Sequence, residues 1–221
     1  KKPSLLSLIA AFACVALYAQ TPDYRFGKVS AEELRMTSYD KDPDAAAVYL
    51  YEESSLFYQI DREIGLTSDY RARIKILKSD GTDQANVSIP YTDEYSVRES
   101  VFGIDAVAYN LVDGKIVKTP LKKQYIFTEQ VGENHKLVKF SIPEVREGTV
   151  IEYKFRKTSK NPTYIPSFRF QHDIPVARCH MQALIPEFFK FNLNLKGYIK
   201  VNIEDGSTNG SVGSGSDMIS F

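Results

Sequence analysis

The stretch Tyr70-Arg71-Ala72-Arg73-Ile74-Lys75-Ile76 changes character at every residue. Tyr70, Ala72, Ile74 and Ile76 form one set, and the cations Arg71, Arg73 and Lys75 form the other. Successive side chains of a strand point to opposite faces, so the spacing predicts a strand with one face in a core and its charged face in water. The same period of two recurs along the chain. Ala85, Val87 and Ile89 interleave with Asn86 and Ser88, and Ile151, Tyr153 and Phe155 with Glu152, Lys154 and Arg156. Phe189, Phe191, Leu193 and Leu195 oppose Lys190, Asn192, Asn194 and Lys196, and Ile199, Val201 and Ile203 oppose Lys200, Asn202 and Glu204.

Turn signals fall between these runs at Asp80-Gly81, Asp113-Gly114, Glu147-Gly148 and Asp205-Gly206. Asp-Gly suits a hairpin because both central positions tolerate positive φ. Many alternating strands without long helical periods predict an all-β fold, an antiparallel β-sandwich of about ten to twelve strands spanning residues 42–205. Residues 20–41 form an N-terminal segment. In it Ser30-Ala31-Glu32-Glu33 is a capping box, flanked by Val29 and Leu34 as a hydrophobic staple, which predicts a short helix to about Met36. Residues 206–221 read as a Gly/Ser-rich loop or linker, with a further strand starting at Asp217, so the chain has the look of a fragment of a larger protein.

At the other end, Lys1-Lys2 precedes an apolar run from Leu5 to Leu17 and then Tyr18-Ala19-Gln20. This reads as a signal peptide over residues 1–19, with export to the periplasm or cell envelope. The run is shorter than the roughly 18 residues of a spanning helix, so no membrane span is expected after cleavage. Lipid anchoring at Cys14 fits less well, because Ala11 stands where a lipobox prefers Leu and the apolar run continues through Val15, Ala16 and Leu17. Cleavage leaves 26 cationic against 28 acidic residues, which excludes the basic balance of a nucleic-acid binder. It also leaves Cys179 without an internal disulfide partner.

Candidate chemistry is sparse. Cys179 and His180 are adjacent on an expected strand, so their side chains face opposite ways and cannot act as nucleophile and base. His135, His172 and His180 are scattered, without the paired spacing of a zinc site. Asp40, Asp42 and Asp44 alternate like a calcium loop, but the turn glycine is missing and Tyr51 stands where the bidentate Glu belongs. The Gly/Ser run at 210–217 has neither a nucleophile elbow nor a phosphate loop's Lys. No cofactor or metal site is expected. The aromatics gathered among Pro162, Pro166, Pro175 and Pro186 offer one binding hypothesis, with Tyr164, Phe168 and Phe188 as a ligand or domain-contact surface. Packing of these rings under the Pro-rich loops is the plainer alternative.

Six segments carry a resemblance: FGKVSAEEL (26–34), DPDAAAVYLYEE (42–53), RIKILKSDG (73–81), YNLVDGKIVK (109–118), FSIPEVREGTVIEYKF (140–155) and FQHDIPVARCHMQALIPEFFKF (170–191). Together they resemble an uncharacterised bacterial domain that follows the signal peptide and precedes a transglutaminase-like domain in exported proteins. The resemblance implies an all-β accessory module without catalytic residues of its own. Its partner would be a downstream papain-like Cys-His-Asp domain of the same polypeptide. The alternative expectation is a carbohydrate- or peptide-binding module that uses the aromatic cluster, in contact with a cell-envelope glycan or peptide.

Overall fold

The computed structural model describes residues 23–60, 62–192, 194–197, 202–210 and 214–220. The expected signal peptide, Cys14 within it and most of the expected strand at 199–203 lie outside the described residues. The described residues form an all-β sandwich with one short α-helix. Four long strands make the centre: β1 (Ala47–Ile60), β2 (Ile64–Ile76), β4 (Ser100–Val112) and β8 (Val150–Ser159). With β5 (Lys115–Pro120), β9 (Cys179–Pro186), β10 (Glu204–Gly210) and β11 (Ser214–Ser220) they form a sheet in the order β10-β11-β9-β1-β2-β8-β4-β5. A second sheet, β3-β7-β6, is built from β3 (Asn86–Thr92), β7 (His135–Ser141) and β6 (Phe127–Gln130). The core lies between them. Tyr49, Ala72, Ile74, Ala108 and Ile151 of the large sheet meet Ile89, Val138 and Phe140 of the small one. Among the described strands the pairing is antiparallel except for β1 with β9. The segment 160–178 crosses from β8 to bring β9 in beside β1, with Glu52 opposite Cys179.

Part of the charged face of the large sheet is not in water, contrary to the expectation from alternation, although Arg71, Lys154 and Arg156 on it keep contact with solvent. Arg73 is 2%, Lys75 0% and Glu152 2% exposed. The N-terminal segment lies over them and carries α1 (Ala31–Arg35). The capping box forms as expected: the Glu33 N–H donates to Ser30 Oγ at 3.1 Å, and the Ser30 N–H donates to Glu33 Oε2 at 2.6 Å. Glu33 Oε1 remains available and accepts from Arg73 Nη1 at 2.7 Å, so the residue that caps the helix also ties it to the sheet. Arg73 Nε donates to Glu152 Oε1 at 2.8 Å, and the guanidinium reaches the Asp23 and Arg25 carbonyls at 3.1 Å. Glu152 Oε2 accepts from the Gly27 N–H and the Tyr109 hydroxyl, each at 2.8 Å. Lys75 Nζ donates to the Leu34 carbonyl at 2.7 Å and the Gly148 carbonyl at 2.6 Å. Leu34, with Val29 beside it, packs on Tyr109 and Val150. Period two shows where side chains point. It is blind to what covers them.

The turns divide. Asp113 and Gly114 take φ of 50° and 75° and join β4 to β5 as the expected hairpin. Asp80-Gly81 instead lies in a 3₁₀ helix, Ser79–Ala85, where the need for glycine is spatial: a Cβ on Gly81 would run into the Ala46 carbonyl. Glu147-Gly148 leads into β8 rather than closing a hairpin, because the strand before it, β7, belongs to the other sheet. Asp205-Gly206 falls inside β10. The stretch read as loop or linker pairs as β10 with β11, and β11 pairs with β9. The strand expected from Asp217 thus begins earlier, at Ser214, and β10 forms its backbone ladder from the sequence EDGSTNG, which lacks the apolar residues that pattern reading depends on. The strand expected from Phe189 onward is also corrected. A turn closed by the Phe189 N–H on the Pro186 carbonyl at 2.9 Å ends β9, and the described residues beyond it, up to 197, are not in a sheet.

Candidate functional site

Two places could carry function. The first surrounds the thiol. Register with β1 sets Cys179 opposite Glu52 and His180 opposite Glu53, so thiol and adjacent imidazole face apart. Cys179 Sγ donates to Glu52 Oε2 at 3.5 Å, while His180 Nδ1 lies 3.5 Å from Glu53 Oε1. Glu52 is 1% exposed and also accepts from the Tyr70 hydroxyl at 2.6 Å and His172 Nε2 at 2.8 Å. The His172 ring stacks on Tyr49 at 4.6 Å. His172 arrives on the crossover segment 120 residues from Glu52, and no local spacing announces it.

Cysteine, histidine and acid thus meet, but in the wrong order for nucleophilic catalysis. A working triad places the imidazole between thiol and acid, where it takes the thiol proton. Here both thiol and imidazole donate to the same carboxylate oxygen. Burial first, and the Glu52 charge second, push the Cys179 thiol well above its ordinary range and keep it protonated. Burial likewise raises the hydroxyls of Tyr49, Tyr70 and Tyr153 around the carboxylate. The arrangement is a hub that fastens β1, β2, β9 and the crossover together. Among the described residues, no group of three or more His, Cys, Asp or Glu is arranged to hold a metal ion.

The second place is a cleft of about 590 Å³ over the end of β9. Met181, Ala183 and Ile185, alternate residues of β9, form its floor. Tyr164, Phe168, Phe170 and Phe191 are walls, with Phe168 and Phe170 edge to face at 4.9 Å. The crossover that supplies three of these rings is pinned at its start. The Tyr58 hydroxyl donates to the Pro162 carbonyl at 2.8 Å, and Asn161 Oδ1 accepts from the Thr163 N–H at 3.0 Å. Of the three aromatics singled out in the sequence, Tyr164 and Phe168 share this cleft. Phe188 does not line it; it is 59% exposed and leans on Phe189 at 4.9 Å. Pattern reading missed the polar lining: it set Asn192, Asn194 and Lys196 on the polar face of a strand that does not form, and Gln171 lies in a loop without periodic signal.

The fold and these sites define a β-sandwich domain with an aromatic cleft. Residues 65–215 match the model of a family described as a domain of unknown function with solved structure (DUF3857), and the chain belongs to that family. No curated protein matches it. Among solved structures it is similar to a putative protease from Parabacteroides distasonis ATCC 8503, with TM-score 0.59 and 14% identity over 80% of this chain and 35% of that one. An M1 zinc metallopeptidase from Deinococcus radiodurans matches with TM-score 0.37 and 9% identity, over 81% of this chain and 40% of that one. The chain therefore spans well under half the length of either protein. The first likeness shows the fold. Among the described residues, no helix is long and apolar enough to cross a membrane.

Proposed function

We propose that this chain is a non-catalytic, exported β-sandwich module that supports or positions a downstream transglutaminase-like, papain-like catalytic domain of the same polypeptide. The observation that carries the proposal is the setting of Cys179. The thiol donates to a buried carboxylate that also accepts a hydrogen bond from the His172 imidazole, which disfavours the thiolate and suits a structural role. The fold likeness to a chain of which this one spans 35% supports the view of a module within a larger architecture. Reading the coding region beyond Phe221 tests it. A domain with Cys, His and Asp in papain-like order supports the proposal, and a stop codon or an unrelated domain overturns it.

The aromatic cleft favours a second reading, a ligand-binding module. Its volume is within the range of small-ligand sites, and its lining combines apolar walls with a few polar groups. The two readings are compatible, since a module beside a catalytic domain can also hold that domain's substrate.

A further inference from the structure

The cleft over β9 has a lining whose chemistry selects among ligands. Its floor, Met181, Ala183 and Ile185, is wholly apolar, and the Phe168 and Phe170 rings rise from it. The polar groups are Gln171, Asn192 and Asn194, with hydroxyls at Thr163, Tyr164 and Ser167. Among the described residues of the lining, Lys196 is the one charged side chain and none is a carboxylate. Three consequences follow. A ligand must offer an apolar group to the floor. It must offer paired donors and acceptors to the carboxamides, since each carboxamide is both donor and acceptor. It gains from negative charge, since Lys196 has no acidic neighbour in the lining.

A neutral saccharide meets two of these terms, with a C–H face for the floor and hydroxyls for the carboxamides, but it offers no charge to Lys196. A peptide meets all three: an apolar side chain reaches the floor, peptide groups pair with the carboxamides, and an acidic residue faces Lys196. We infer that the cleft binds a short acidic peptide through an apolar or aromatic anchor side chain. This rests on the ligand-binding reading above.

The test is fluorescence polarisation of the full chain against fluorescein-labelled Asp-Leu-Phe-Asp amide, with Lys-Leu-Phe-Lys amide and labelled tetra-N-acetylchitotetraose as comparisons. Saturable binding of the acidic peptide, at least tenfold tighter than the basic one, is expected. K196E should reverse that preference, and Ala183→Trp, which fills the floor, should abolish binding. Phe188→Ala, outside the cleft, should change neither, and circular dichroism of each variant separates lost binding from lost folding. Chitotetraose binding that Ala183→Trp removes, without peptide binding, overturns the peptide assignment and leaves a binding module. Failure of all three probes overturns both.

Discussion

Replacing Arg73 by Met tests the buried charge layer that fixes the N-terminal segment. The guanidinium sits between Glu33 and Glu152, whose side chains are 12% and 3% exposed. Without it, two carboxylates face each other across a dry gap, and Glu152 keeps only the Gly27 N–H and the Tyr109 hydroxyl. Removing one partner of a buried pair costs about 3–5 kcal/mol, against about 0–1 kcal/mol for an exposed pair. In a domain of this length each kcal/mol moves Tm by about 2–4 °C, so a fall of about 6–20 °C is expected. The assay is urea unfolding at pH 7, with Arg73→Met/Glu152→Gln as the control. The double variant removes the stranded charge while Gln still accepts from Tyr109, so it should be more stable than Arg73→Met alone by about 1–3 kcal/mol. Arg73→Met within about 1 kcal/mol of the parent would refute the reasoning, because that is the figure for a solvated pair.

Other expectations are narrower. Burial lowers the Lys75 ammonium to about 8, so between pH 8 and its ordinary value of 10.5 the unfolded chain holds a proton that the folded chain has lost. The stability of the parent relative to Lys75→Met should therefore rise with pH across that window in paired urea titrations; a falling difference contradicts the assignment. Gly81→Ala should cost about 1–3 kcal/mol through the Ala46 carbonyl clash, read as a lower urea midpoint, and an unchanged midpoint counts against it. At pH 8 the folded chain carrying Cys14→Ser should react with a thiol-specific disulfide reagent far more slowly than the same chain unfolded in urea, since Cys179 is held as the thiol. Equal rates would remove the argument from its protonation state.

Legibility followed physical range. The capping box, the Asp113-Gly114 hairpin and the opposed faces of Cys179 and His180 depend on residues a few positions apart, and the chain displays them openly. The covering of Arg73 and Lys75 depends on a segment some 40 residues away, and alternation alone cannot distinguish water from a docked helix. The Glu52–His172 contact spans 120 residues, and the Gln171 and Asn192 positions in the cleft come from two different loops. Tyr164 and Phe168, which share the cleft, stand out in the sequence because aromatic density among prolines is a compositional signal. Phe188 shared that signal without sharing the cleft.

We propose that this chain supports chemistry rather than performing it. Assaying it alone for peptide hydrolysis and for glutamine–lysine crosslinking, beside Cys179→Ala, addresses that claim directly. Rates at the buffer blank for both proteins are expected. Turnover by the parent that disappears in Cys179→Ala would contradict the account.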